Sequence, residues 1–152
     1  MNVDETDVRI LEHLLKDGRS SLRRMAKALD LSPSTVSNRF NALREEGVIR
    51  GFKPVIDYEM LGMDLTAVLE LDADTQMMED VAARVREKER VMFFYEVTGE
   101  TDMLLICKFA SREQLNGFVK ELQKEEGIIG TETKVVLTRP EEQGYERLQP
   151  LL

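Results

Sequence analysis

The stretch Asp30-Leu-Ser-Pro-Ser-Thr-Val-Ser-Asn-Arg-Phe-Asn-Ala-Leu-Arg-Glu-Glu-Gly-Val-Ile49 decides how the N-terminal part of the chain folds. Ser32 can cap a helix through its hydroxyl. Pro33 suits the first helical position, where its missing N–H would have been unpaired anyway, and Gly47 allows the left-handed residue that ends a helix. These signals predict a helix over 33–46. Val36, Phe40 and Leu43 recur at four-and-three spacing, which makes one apolar stripe to be buried. The opposite face carries Ser34, Ser37, Asn38 and Asn41, short groups that can approach base edges and phosphates closely, with Arg39 and Arg44 on its flanks.

A capped amphipathic helix with a small polar face is common in globular proteins. The preceding segment sets this one apart. Ser20 or Ser21 can cap a short helix whose stripe is Leu22, Met25, Ala26 and Leu29, and Asp30-Leu31 leaves only a tight turn before Ser32. Two helices joined by about three residues have the spacing of a helix-turn-helix. Further upstream, Asp4 can cap a first helix, with Val3 and Val8 as a hydrophobic staple. Val8, Ile10, Leu11, Leu14 and Leu15 form its buried side, and Asp17-Gly18 ends it. His13, the only histidine, has no cysteine or second histidine near it in sequence, so it reads as a packing or surface residue and no metal site is expected.

At 152 residues, 42% apolar and 33% charged, the chain suits a folded protein of one sizeable or two small domains. Its longest apolar runs, 91–95 and 103–107, are far too short to span a membrane, so the expected compartment is the cytoplasm with no membrane partner. Cys107, alone, can form no internal disulfide and reads as a small core residue. The net charge of −8 at first opposes a polyanionic partner. Its distribution does not. Residues 1–52 hold nine Lys and Arg against eight Asp and Glu, whereas residues 53–152 hold twelve against twenty-one. A near-neutral reader binds weakly as a single copy, so two or more copies are expected to act together on double-stranded DNA.

After Gly47 the pattern changes period. The alternation over 48–56 predicts an extended hinge strand leading away from the bundle. Beyond it the chain reads strand, helix, strand, strand, helix, strand. Leu65, Ala67, Leu69 and Leu71 alternate with polar residues in the first strand. A helix over 75–88 buries Met78, Val81, Ala82 and Val85. Segments 91–98 and 102–109 form a hairpin around Gly99-Glu100-Thr101. Ser111 and Gln114 make a capping box for a helix with the stripe Leu115, Phe118, Val119 and Leu122. The last strand covers 127–138 and is closed by Arg139-Pro140. The expected fold is therefore α+β: an N-terminal three-helix winged helix-turn-helix bundle and a C-terminal ferredoxin-like βαββαβ sandwich. The domains are 1–50 for DNA binding, 51–62 for hinge and linker, 63–139 for the sandwich and 140–152 for a tail.

Phe93, Phe94, Tyr95, Leu104, Leu105, Ile106 and Cys107 put apolar groups on both faces of the central strands, yet the two helices can cover only one. A second copy of the same sheet, giving a two-fold dimer, is the expected cover; a tail folding back after Pro140 is the alternative.

The whole chain, from about residue 3 to 139, resembles the Lrp/AsnC, or feast/famine, transcriptional regulators. The residues that carry this are Asp4, Asp7, Ile10-Leu11, Asp17-Gly18-Arg19, Leu31-Ser32-Pro33-Ser34-Thr35-Val36, Arg39, Leu43, Gly47-Val48-Ile49-Arg50-Gly51-Phe52, Leu61-Gly62 and Thr98-Gly99-Glu100-Thr101-Asp102. The resemblance implies an N-terminal DNA-binding domain and a sandwich that dimerises and often assembles into a homo-octamer. It also implies a small-molecule effector, commonly an amino acid, bound between dimers near the hairpin. The effector region then maps to Thr98, Gly99, Glu100 and Asp102, with Thr131 and Thr133 as neighbours. If Glu100 and Asp102 face one pocket, a cationic amino acid is the better ligand. Thr101 stands where the family often has an aromatic residue.

On this reading Ser32 and Ser34 contact phosphate, Ser37, Asn38 and Asn41 meet base edges, and Arg39 and Arg44 reach phosphate or guanine. The same layout is shared by tetrapyrrole (siroheme-type) decarboxylase subunits, but no catalytic pair, second histidine or phosphate loop supports an enzyme, and no cofactor is expected. A ligand sensor without DNA binding is the other alternative, favoured by the acidic balance.

Overall fold

The computed structural model describes residues 3–138, so the predicted Arg139-Pro140 closure and the 140–152 tail lie outside the described residues. The chain divides into two compact units between Val55 and Ile56, inside the stretch read as hinge and linker.

The first unit holds α1 (Glu5–Lys16), α2 (Leu22–Leu29) and α3 (Pro33–Glu45). Each begins at the expected kind of cap: Asp4, Ser21 and Ser32 accept the N–H groups of Asp7, Arg24 and Thr35 respectively. Asp30 ends α2 in the left-handed region at φ 55°, tolerable for Asp because its short polar side chain can bond locally. Ile10, Leu14, Met25, Ala26, Val36 and Leu43 form the core, with Phe40 and Ile49 packed against it. Gly47, at φ +74°, turns the chain at the end of α3, and the Ile49 N–H donates back to the Leu43 carbonyl at 3.0 Å.

The alternating 48–56 segment therefore does not run out as a strand. Ile49 docks on the bundle, and 51–57 form neither helix nor strand. A strand needs a neighbouring ladder to satisfy its backbone; among the described residues none pairs here, so this segment does not form the expected hinge strand. Phe52 instead lies stacked on Phe40, ring centroids 6.4 Å apart.

The second unit runs β1 (Leu65–Ala73), α4 (Met78–Arg86), β2 (Val91–Glu96), β3 (Met103–Phe109), α5 (Arg112–Leu122) and β4 (Ile128–Val135). The sheet order is β2-β3-β1-β4, all antiparallel, which is the ferredoxin-like arrangement. In register, Leu69 faces Leu105 on one side and Thr133 on the other. Leu69, Leu71, Leu105, Phe109, Val81, Val85, Phe118 and Leu122 fill the layer between sheet and helices. Cys107 belongs to this core, and burial pushes its thiol up to about 12.

Local chemistry accounts for departures from expectation at the start of α4 and in the cap of α5. The Asp74 carboxylate accepts the Gln76 N–H at 2.8 Å and its carbonyl accepts the Met77 N–H, so a turn delays α4 to Met78. At α5, Ser111 caps Gln114 as predicted, but the Gln114 side chain returns to the Ala110 N–H rather than to that of Ser111.

Candidate nucleic-acid interface and sheet-end site

Val36 and Leu43 are fully buried, which fixes the opposite side of α3 outward. Ser34, Asn38, Asn41 and Arg44 are exposed on that side and Ser37 is half-buried at its edge. Ser32 is exposed, but its hydroxyl is already engaged: it accepts the Thr35 N–H at 3.0 Å and lies 2.9 Å from Ser34 Oγ and 2.7 Å from Thr35 Oγ1. Arg44 lies over the Phe40 ring at 5.9 Å, which holds its guanidinium beside the polar face.

Arg39 is placed differently from the other site residues. One guanidinium nitrogen lies 2.8 Å from the Asp4 carboxylate and the other 3.4 Å from that of Asp7. The reading of Arg39 as a phosphate or guanine contact thus meets a side chain turned toward α1, because two acids at that helix's N-terminus lie within reach. The Asp7 backbone N–H, aided by Arg39, holds the Asp4 carboxyl below the usual carboxylate range.

Sequence reasoning passed over a cationic group. The turn before α2 and its exposed side carry Arg19, Arg23, Arg24 and Lys27; Arg24 pairs with Asp17 at 3.1 Å. The signal was there: a stripe at Leu22, Met25 and Ala26 leaves 23, 24 and 27 on the far face. In helix-turn-helix proteins this first helix crosses the phosphate backbone. His13 Nε2 lies 2.9 Å from Ser20 Oγ, tying α1 to the α2 approach as a packing residue.

At the far end of the sheet, Thr98, Gly99 and Glu100 are exposed on the β2–β3 turn. Asp102 Oδ2 accepts the Ala73 N–H at 2.9 Å, while the Asp102 N–H and the Thr101 hydroxyl both donate to the Leu71 carbonyl. Thr131 sits opposite Leu71 on β4 and receives a bond from Gln123 Nε2 at 3.0 Å. Asp102 and Thr131 are thus brought to the same end of β1, on its two sides. Thr133 lies opposite Leu69, farther from the turn. Thr101 thus fastens the turn to β1.

The helix-free face of the sheet carries Phe93 and Tyr95, each about half exposed, beside Leu104, Ile106 and Val68. Lys134 bridges Glu70 and Glu132 at its β4 edge. Toward the other end Lys108 donates to Thr66 Oγ1 and lies 5.0 Å from the Tyr58 ring centroid.

Comparison with known proteins bears on both regions. Residues 3–50 match winged helix-turn-helix DNA-binding domains, and residues 66–145 match the Lrp/AsnC ligand binding domain. An HTH-type transcriptional regulator of Pyrococcus abyssi is 41% identical over 135 residues, covering 89% of this chain and 92% of its own. The HTH-type transcriptional regulator FL11 of the same organism is 35% identical, covering 90% and 91%. Among solved structures, a transcriptional regulator of Neisseria meningitidis in complex with L-Met superposes with a TM-score of 0.92 at 28% identity, covering 99% of this chain and 100% of that one. AsnC of Escherichia coli shares the fold, with a TM-score of 0.87 at 23% identity, 96% of this chain and 99% of that one. No helix among the described residues is long and apolar enough to cross a membrane.

Proposed function

The chain belongs to the Lrp/AsnC family of transcriptional regulators, and on that premise we propose that it reads duplex DNA through the exposed face of α3, as a dimer or larger assembly, under the control of an amino acid. One observation carries the DNA reading: Ser34, Asn38 and Asn41 form an uncovered polar row on a helix whose other side is locked in a core. Asn amide groups suit adenine edges, and the N-terminal residues of a recognition helix reach the bases first. Arg19, Arg23 and Lys27 supply sequence-independent attraction to phosphate, with Arg44 beside the reader.

Two such helices must sit about 34 Å apart to enter successive major grooves of a two-fold site. The bare apolar sheet face supports self-association, because burying Phe93, Tyr95, Leu104 and Ile106 against a second copy removes them from water. An octamer is the further step that the family resemblance suggests. A regulator that acts on the cell's DNA works in the cytoplasm. For the effector, the Neisseria relative's L-Met complex supports an amino acid at the sheet end near Thr98, Gly99, Glu100, Asp102, Thr131 and Thr133. With Asp102 and Thr131 already bonded within the fold, exposed Glu100 is left as the principal charge toward a ligand's ammonium group. Relatives that are regulators give no support to catalysis.

The test is selection of duplexes from a randomised pool by the purified protein, followed by anisotropy titration of the winner. Asn38→Ala is expected to lose roughly 1–3 kcal/mol of specific binding with the assembly intact. Unchanged affinity would remove α3 from the interface. Calorimetry against the amino acids tests the effector: no binding by any of them rejects that part alone.

A further inference from the structure

We infer that Asp7, together with Asp4, is a positioning residue for DNA reading: the two acids hold Arg39 and thereby fix the rotation of α3 about its own axis. The inference rests on the DNA-binding reading above.

Asp4 and Asp7 form a capping box at the start of α1. Asp4 Oδ1 accepts the Asp7 N–H at 3.0 Å, and Asp7 Oδ2 accepts the Asp4 N–H at 3.1 Å. The remaining capacity faces α3, where Arg39 places one nitrogen on each carboxylate. The receptor is rigid before Arg39 arrives, because each acid is already tied to the other's backbone.

Asp7 is fully buried, and among the described residues its Oδ1 has no hydrogen-bond partner. A buried carboxylate is costly unless paired, and here the pairing cation comes from the reader helix. Capping alone does not call for it, since Asp4 satisfies the first turn from a half-exposed position. Nor does DNA attraction, since two acids cancel Arg39 and bring negative charge toward a polyanion. What the arrangement supplies is direction. Val36, Phe40 and Leu43 pack through contacts that tolerate rotation, whereas a guanidinium fork on two fixed acceptors does not. Arg39 immediately follows Asn38 and lies two residues before Asn41, so its placement sets where both amides point. Base readout demands positions held within about half an ångström.

The experiment measures affinity for the pool-selected duplex and for a mixed-sequence duplex across a salt series, with wild type, Asp7→Asn, Arg39→Gln and the double variant. A positioning role predicts that each single change lowers the selected-to-mixed ratio roughly tenfold and that the double variant is no worse than either. Binding to the mixed duplex and the slope of log K against log salt stay as in wild type. Arg39→Gln with the slope reduced by about one, beside Asp7→Asn that binds equally or more tightly, would make Arg39 a phosphate contact and overturn the inference. So would equal losses on both duplexes with loss of helical circular dichroism, the mark of simple unfolding. Should Asp7→Asn not fold, Asp4→Asn, which keeps a competent cap, carries the same ratio prediction. A wild-type chain that selects no duplex at low salt overturns the DNA reading, and this inference with it.

Discussion

The helical unit and the sandwich both bury apolar stripes, yet they leave opposite kinds of surface bare. On the helical unit the uncovered face is polar and cationic: Ser34, Asn38 and Asn41 on α3, Arg23 and Lys27 on α2. On the sandwich it is the apolar sheet face with Phe93 and Tyr95 at its edge strand. A polar face is stable in water and can wait for a partner. An apolar one leaves Phe93 and Tyr95 in water at a cost that the proposed self-association would remove.

The sharpest way to break this contrast is to compare the two faces of one sheet. Phe109 is fully buried on the helix side, its ring 5.6 Å from that of Phe118. Phe109→Ala should cost about 3–5 kcal/mol in urea unfolding. Phe93→Ala, on the bare side, should change the unfolding of the isolated chain by less than about 1 kcal/mol while raising the dissociation constant of the assembly in sedimentation. Equal destabilisation by both would mean the faces do not differ as described.

On the other unit, the cations of α2 are expected to act without regard to sequence. Arg23→Ala and Lys27→Ala should each weaken binding to selected and mixed duplexes alike and lower the salt slope by about one. Loss confined to the selected duplex would make them base readers instead.

These contrasts also show what the sequence could carry. Caps, stripes and strand order follow from local chemistry, so α1 to α3 and the βαββαβ order were legible from Asp4, Ser32, Gly47 and the alternation of Leu65 to Leu71. The two-sided apolar character of 91–95 and 103–107 was legible as well. The fate of Arg39 was not, because its partners lie 35 and 32 residues away and become neighbours only when α1 crosses α3. The bond that Asp102 accepts from Ala73 was equally hidden, since the two lie 29 residues apart in the chain. The 48–56 segment has strand periodicity but pairs with no strand among the described residues, and periodicity alone cannot supply one.

Caps offer a middle-sized probe. Ser32→Ala removes the acceptor for the Thr35 N–H and should cost about 1 kcal/mol in the helical unit, read by thermal melting. Because the change frays the first turn of the reader, it should lower DNA affinity too, whereas Ser111→Ala, the corresponding cap in the sandwich, should cost similar stability and leave DNA affinity alone. Equal effects on binding would blur the division of labour between the units.

The smallest expected effect concerns acid. In the sandwich Lys88, only 14% exposed, reaches Glu121 and Glu125, while Arg84 also meets Glu125 at 3.3 Å. Hydrogen bonding to Lys88, with the charge of Arg84 in support, holds the Glu125 carboxyl below its ordinary 4.5. A carboxyl held low in the folded state adds stability at pH values above its ordinary one, and that contribution fades as the pH falls through the lowered value. Lys88 behaves oppositely. Desolvation alone would lower its pKa, but the two glutamates outweigh it and raise it above 10.5, so its contribution persists below that value and disappears only in stronger base. Neutral pH therefore lies on a plateau for both partners. Replacing Lys88 by Met should lower the melting temperature there by a small amount and shrink the loss on acidification, so that the curves of variant and wild type converge as the pH falls through the lowered Glu125 value. Parallel acid limbs would show that Glu125 titrates without regard to Lys88, and that the α4–α5 ion network contributes nothing beyond the packing of its aliphatic stems.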